Sequence, residues 1–393
     1  MFARSSTPSP MRSGIDTVEI SRIEKLLGDL DEVALCDFFS ARELSDAGTG
    51  PGRAQKLAAR FAAKEACCKL FPKEICLGTI EPYDFSVSRD GYGQPHIMPT
   101  ERARAVMNRH RVCRIGLSMT HTAVSATAIA TAEPARLVIP WYGKFLYHVF
   151  PLRRRVVLEN LRRVYGETID EAGRVEIAQG FYGHLVKFFG ERLVLPFLSD
   201  AKKERLVRIE GTEYLVRAKE MGKGVLLLTG HFGNWRVSMG AGMAQFKDTH
   251  GLVHFIRRPL QQKCVNDLFR KGGSLDETLD LLKQNQIVAS IFDQRANRED
   301  GISSEFFGHA AHTLKSLAVL ARGTGAPVIP ASSWREPDGT HVLRFEAPVD
   351  LVTGDHVAAN TRRFNEVLER IILRHPEQWI WMHQRWKAVP VEE

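Results

Sequence analysis

The chain has 393 residues, 44% hydrophobic and 25% charged, an ordinary folded composition that is too long for one average domain, so two or three are expected. Net charge is +8 and uneven: the first 134 residues carry 17 Lys+Arg against 16 Asp+Glu, the remainder 37 against 30. A basic second half suits anionic membrane surfaces or acidic partners; no recognised nucleic-acid-binding motif accompanies the charge, so nucleic acid is excluded as partner.

In chain order, MFARSSTPSP is Ser/Pro-rich without an apolar core, so no signal peptide is expected, and Met1 and Met11 stand as alternative starts. Residues 14–20, GIDTVEI, read as a short strand entering a helix over 18–27. Asp16 falls at the junction, where a carboxylate can cap backbone N–H groups. Arg22 and Lys25 are three apart and share a helix face. Residues 60–69, RFAAKEACCK, are Ala-rich without Gly or Pro, and place Arg60 and Lys64, Phe61 and Glu65, and Glu65 and Lys69 one helical turn apart. Six Cys, at 36, 67, 68, 76, 113 and 264, form no C-x-x-C pair. Reduced cytosolic thiols are expected, with Cys67 and Cys68 as small core residues. Residues 112–130 read as two strands, and AEPA at 132–135 closes a first unit.

Three ordered stretches, GIDTVEI, the 60–69 helix and GLSMTH at 116–121, together resemble the holo-acyl-carrier-protein synthase family of phosphopantetheinyl transferases. The resemblance implies that Asp16 and Glu65 bind Mg²⁺, with Glu65 also catalytic. Coenzyme A would be the substrate, its 4′-phosphopantetheine passing to a serine of apo acyl carrier protein as the hydroxyl attacks the β-phosphate. The products are the holo carrier and adenosine 3′,5′-bisphosphate. Lys64 and Lys69 are implied phosphate contacts, and Arg22 and Lys25 an implied carrier-docking face. FSARE at 39–43 resembles the family's F-S/T-x-x-E segment. Gly93 and Pro95 match its G-K-P turn with Gln94 in the Lys place, which removes one positive charge near the nucleotide. Ser118 and His121 match S-x-S-H, with Thr120 keeping a hydroxyl. His121 contacts substrate or assists proton transfer, or is structural. Family members are trimers with sites between subunits, so a homo-oligomer is implied.

Next, LVIPWYGKFLYHVFPLRRR at 137–155 is too short and interrupted to span a bilayer. It reads either as an interfacial anchor, aromatics at headgroup depth and arginines on anionic lipid, or as a buried helix. The apolar runs GVLLLTG at 224–230, IVASIFD at 287–293 and APVIPAS at 326–332 read as buried strands separated by helical segments.

From about 137 to 387 the chain resembles the lipid A biosynthesis acyltransferases, through NL at 160–161, GVLLLTGHFGNW at 224–235, DQ at 293–294, FFG at 306–308, GAPVIP at 325–330 and PEQWIWMHQRWK at 376–387. The implied donor is acyl-loaded carrier protein, the acceptor a lipid hydroxyl at the membrane surface, and the general base His231. In the family an Asp or Glu follows five residues after that His, orienting the ring and stabilising its cation. Here Arg236 stands in that place, and a guanidinium cannot accept the ring N–H. Asp293 and Glu305 are the replacement acids to consider. Three readings stay open: active acyl transfer, an impaired module that tethers to membrane and binds carrier protein, or different chemistry on the same scaffold. The family's amino-terminal membrane span is absent from the matching position.

The expected architecture is an α+β phosphopantetheinyl transferase domain at 1–134, followed by an α/β, mixed-sheet acyltransferase-like domain of glycerolipid or lipid A type at 135–393. The expected location is the cytoplasm, peripheral on the inner membrane. The two activities share one logic: the first installs the thiol arm that the second relieves of its acyl chain.

Overall fold

The computed structural model describes residues 12–150, 152–238, 253–256, 271–272, 275–354 and 356–387; Met1, Met11 and Cys264 lie outside the described residues. The chain divides into two compact units, one running through Leu137 and including Glu167–Ala172, the other comprising Val138–Gly166 and the chain from Gly173.

In the first unit, β1 (Ser13–Glu19) leads into α1 (Ile20–Asp29), α2 (Glu32–Leu35), α3 (Ala41–Ala47), α4 (Arg53–Cys68) and α5 (Lys73–Cys76). The hairpin β2 (Phe85–Arg89) and β3 (Pro95–Pro99), helix α6 (Glu101–Arg109) and strands β4 (Val112–His121) and β5 (Ser125–Pro134) complete it. The first helix starts later than its sequence pattern suggests, because Val18 and Glu19 are held in β1 by pairing with Ala126 and Ser125 of β5. β1, β5 and β4 form an antiparallel sheet in that order, and α4 lies on it through Ala58, Ala62 and Ala66, all fully buried. The approach is so close that a Cβ on Gly14 would sit 2.1 Å from the Ala66 carbonyl oxygen, so only glycine lets β1 pass here. That contact sets Asp16 beside the last turns of α4. FSARE forms a capping box at the start of α3, Ser40 and Glu43 exchanging side-chain and backbone bonds. Cys67 and Cys68 are buried, and burial pushes the Cys68 thiol up to about 12, as expected of inert core thiols.

The second unit opens with α7 (Trp141–Val149), α8 (Arg154–Tyr165), α9 (Glu171–Val194) and α10 (Asp200–Arg205). β6 (Val207–Glu210), α11 (Thr212–Glu220), β7 (Val225–Thr229), β8 (Val253–Ile256) and β9 (Lys271–Gly272) follow. The rest is α12 (Leu275–Lys283), β10 (Ile287–Ile291), the hairpin β11 (Gly301–Phe306) and β12 (His309–Leu314), α13 (Ser316–Thr324), β13 (Val328–Arg335), β14 (His341–Phe345) and α14 (Val357–Arg374). Seven strands form a mixed sheet, order β6-β14-β13-β7-β10-β8-β9, parallel except between β13 and β14. The three apolar runs become β7, β10 and β13, adjacent at its centre, and every residue of β7 is buried. Continuous apolar sequence is what a strand covered on both faces requires.

Candidate catalytic sites in the two units

β7 and β10 are parallel neighbours, so their carboxyl ends open at the same edge of the sheet. His231 lies two residues beyond the end of β7 and Asp293 two beyond the end of β10, which brings together two residues far apart in sequence. His231 Nδ1 lies 2.9 Å from Asp293 Oδ1, and the His231 backbone N–H donates to Asp293 Oδ2 at 2.8 Å. The Trp379 indole N–H donates to the same Oδ2 at 2.9 Å. Burial alone would raise the Asp293 carboxyl; the His231 ring's charge and these hydrogen bonds hold it down at about 2. Burial likewise works against a charged His231, but Asp293 prevails and lifts the imidazole above its usual value, against a smaller downward push from Arg236.

With Nδ1 committed to Asp293, Nε2 is the base nitrogen, and the Gln294 amide Nε2 meets it at 3.4 Å. Of the two replacement acids, Asp293 meets His231. Glu305 is on the β11–β12 hairpin, exposed and paired with Arg362 at 3.6 Å. Arg236 lies over the Trp235 ring, 4.7 Å from its centroid.

The loop carrying His231 is held from behind. A Cβ on Gly230 would come 2.8 Å from the Phe232 ring and 3.0 Å from the Asp293 carboxyl carbon. Gly233 has φ +51° and presses on β13, where a Cβ would be 2.7 Å from the Ser333 carbonyl. Asn234 donates to Glu191 Oε2 at 2.6 Å, and Arg335 grips the same carboxylate through Nε at 2.7 Å and Nη2 at 2.6 Å. Although partly buried, Glu191 is held down at about 2 by His341, Arg335 and Asn234. The carboxy-terminal motif closes the opposite side: Gly233 N–H donates to Gln378 O at 2.9 Å, and Asn160 donates to the carbonyls of Trp381 and His383, each at 2.8 Å. Sequence reasoning recognised this motif but did not give Trp379 or Glu191 a task; only tertiary pairing shows it.

In the first unit the structure brings together Asp16, Glu65 and Lys69. Lys69 Nζ lies 2.7 Å from Asp16 Oδ1 and donates to the Ile15 carbonyl at 2.9 Å. Burial, then the neighbouring Asp16 charge, pushes the Glu65 carboxyl up, with Lys69 and Arg22 opposing. A carboxylate whose charge is disfavoured by a neighbouring carboxylate suits a divalent cation. Among the described residues no group of three or more His, Cys, Asp or Glu could hold a metal. Mg²⁺ is commonly held by one or two carboxylates, with waters and substrate phosphates completing its octahedron, so this pair fits it. Arg22 and Lys25 are both exposed on α1, and Arg22 also lies over Phe61 at 5.3 Å. Ser118 and His121 are exposed on β4, and Gly93 and Pro95 flank the β2–β3 turn, Gly93 with φ +82°.

Lys64 departs from the expected phosphate contact. Its side chain is 0% exposed, and its ammonium lies 2.8 Å from Glu43 Oε2 and donates to the Phe38 carbonyl at 2.8 Å. A fully buried, paired ammonium cannot present itself to a phosphate. Lys64 instead ties α4 to α3, beneath the Glu65 turn.

Comparison with known proteins finds two families along the chain. The bacterial lipid A biosynthesis acyltransferase family matches residues 122–388, and the 4′-phosphopantetheinyl transferase superfamily residues 12–116. The holo-[acyl-carrier-protein] synthase of Treponema denticola is 37% identical over 123 residues, covering 30% of this chain and 95% of that protein. The lipid A biosynthesis lauroyltransferase of Escherichia coli K12 is 23% identical over 261 residues, covering 63% of this chain and 83% of that one. A phosphatidylinositol mannoside acyltransferase of Mycobacterium tuberculosis is 26% identical over 220 residues, covering 51% and 67%. The chain belongs to the bacterial lipid A biosynthesis acyltransferase family and carries, as its first unit, a member of the holo-acyl-carrier-protein synthase group of 4′-phosphopantetheinyl transferases.

Proposed function

We propose that the protein is bifunctional, converting apo acyl carrier protein to its holo form and transferring an acyl chain from loaded carrier to a lipid hydroxyl. The observation that carries the second activity is the Asp293 carboxylate on His231 Nδ1. It supplies from β10 the orienting acid that Arg236 cannot provide, and so supports turnover over an impaired tethering module. In this reading Nε2 takes the proton of the acceptor hydroxyl as oxygen attacks the carrier thioester. Asp293 stabilises the imidazolium formed, and the proton returns to the departing thiolate. Trp379 and the His231 N–H keep the carboxylate in place.

In the first unit Asp16 and Glu65 are the proposed Mg²⁺ residues. The bound ion would neutralise charge on the coenzyme A pyrophosphate. Lys69, half exposed at the same place, binds phosphate, with Gly93, Pro95, Ser118 and His121 on the coenzyme A side. Arg22 and Lys25 present an exposed basic edge suited to an acidic carrier helix. Ile15 and Ile129, paired across β1 and β5 and both exposed, give this sheet an apolar face that supports a homo-oligomer, a trimer by family resemblance. The proposed domain division is 1–134 and 135–393, and the proposed location is the cytoplasmic surface of the inner membrane.

The test uses intact mass. Purified protein with coenzyme A should add phosphopantetheine to apo carrier only when Mg²⁺ is present. With acyl carrier and a membrane lipid extract it should remove the acyl group in an acceptor-dependent way. Conversion without any deacylation would leave the second unit as a binding module.

A further inference from the structure

The second unit carries an apolar surface that its catalytic arrangement does not use. α7 turns Gly143 and Tyr147 inward and leaves Trp141, Phe145 and Val149 exposed, at i, i+4 and i+8. α9 is buried only over its middle, at 177–184; beyond this, Val186, Phe189 and Leu193, at i, i+3 and i+7, are exposed. The helices that carry the two stripes meet backbone to backbone. A Cβ on Gly143 would lie 2.6 Å from Gln179 O and 3.0 Å from Gly183 Cα, and one on Gly183 would lie 2.6 Å from Pro140 Cγ. The Tyr147 and Tyr182 rings, 6.0 Å apart, extend the same packing. Trp141 is 76% and Leu193 72% exposed, an apolar area unusual on a surface that meets only water.

The charges around these stripes have one sign. Residues 138–158 hold Lys144, Arg153, Arg154 and Arg155 with no Asp or Glu. On distal α9, Lys187 and Arg192 are exposed, whereas the acid among them, Glu191, is turned inward to Arg335 and Asn234. No described helix is long and apolar enough to cross a membrane. Aromatic and aliphatic side chains among cations, on helices too short or too polar to span, match the requirements of an anionic bilayer surface.

We propose that α7 and the distal half of α9 form one two-helix face that embeds in the surface of an anionic bilayer, the apolar stripes entering the acyl boundary and the cations meeting lipid phosphates. This names the partner surface of the lipid-acceptor reading and rests on it. A second copy of the chain is the rival occupant.

The experiment is co-sedimentation of the full chain with vesicles of phosphatidylglycerol and phosphatidylethanolamine, or of phosphatidylcholine alone, without carrier protein or turnover. Wild type should bind the anionic vesicles more tightly and release as salt rises. The Trp141→Glu, Phe189→Glu double variant should lose at least about tenfold in partitioning. Lys144→Glu and Lys187→Glu should each lose about fivefold. An unchanged Tm, with unchanged apo-to-holo conversion, establishes that the variants fold. Wild-type binding that is absent or indifferent to lipid charge overturns the proposal. So does wild-type-like binding by the double variant, or a change only in its oligomer size. Bound protein that fails to deacylate the carrier refutes the catalytic reading and leaves this face standing.

Discussion

The two catalytic sites meet the same problem, controlling charge at a reacting group, in opposite ways. In the second unit the charge is fixed beforehand: Asp293 is fully buried, receives three hydrogen bonds and stays ionised against the cost of burial. In the first unit burial and the Asp16 charge push the Glu65 carboxyl up, and Lys69, which bonds Asp16, opposes this only in part. On the proposed reading a cation and a phosphate complete the first unit's site, whereas the His231–Asp293 pair is in place without a substrate. Acyl transfer should therefore depend on second-layer residues such as Trp379, whereas phosphopantetheine transfer should depend on the concentration of Mg²⁺.

The largest effect should come from Asp293→Asn. Loss of the orienting carboxylate should lower acyl transfer roughly 10⁴-fold, read as acyl loss from the carrier. Because Asp293 raises the His231 pKa, and the base acts in its neutral form, wild-type activity should rise with pH through an inflection above the ordinary histidine value. In Asp293→Asn burial dominates and the inflection should move to lower pH.

Next, Glu65→Ala should reduce apo-to-holo conversion roughly 10³-fold and weaken Mg²⁺ dependence, while leaving acyl transfer unchanged. Full activity in Glu65→Ala would sink the metal assignment. Trp379→Phe keeps an aromatic ring, though a smaller one, and deletes one bond to a charged acceptor, so acyl transfer should fall about 10-fold. The His231 inflection should move with it, which a purely structural loss would not produce.

Arg335→Ala tests the support rather than the reaction. It should cost about 2 kcal/mol by removing two charge-assisted bonds to Glu191, which keeps Asn234 and His341, measured by denaturant unfolding. Since Glu191 is depressed in the folded state, its contribution is present above the ordinary glutamate range and lost as pH falls towards about 2. The wild-type advantage over Arg335→Ala should therefore shrink on acidification.

Much of this was legible in the chain itself. Apolar runs of strand length announced β7, β10 and β13 because both faces of a central strand are covered, and Ala spacing announced α4. Asp16 and Glu65 were readable as a site only because three motifs occurred in order. Asp293 was readable as one of two candidate acids, but the choice between it and Glu305 was not, since it depends on β10 lying parallel beside β7, a pairing no local pattern encodes. Lys64 misled for a related reason: a Lys beside Glu65 on a helix reads as a phosphate contact until its buried partner, Glu43, is seen beneath it. The exposed stripe on α9 was masked by the buried Gly180–His184 stretch before it, which blurs the period.

The most direct measurement compares acyl transfer by Asp293→Asn and Arg236→Glu, with apo-to-holo conversion in the same preparations as the control for folding. If Asp293 is the orienting acid, Asp293→Asn should lose roughly 10⁴-fold, and Arg236→Glu should change the rate by less than about tenfold. A wild-type rate in Asp293→Asn, or a large gain in Arg236→Glu, would contradict it and identify position 236 as the damaged half of a dyad.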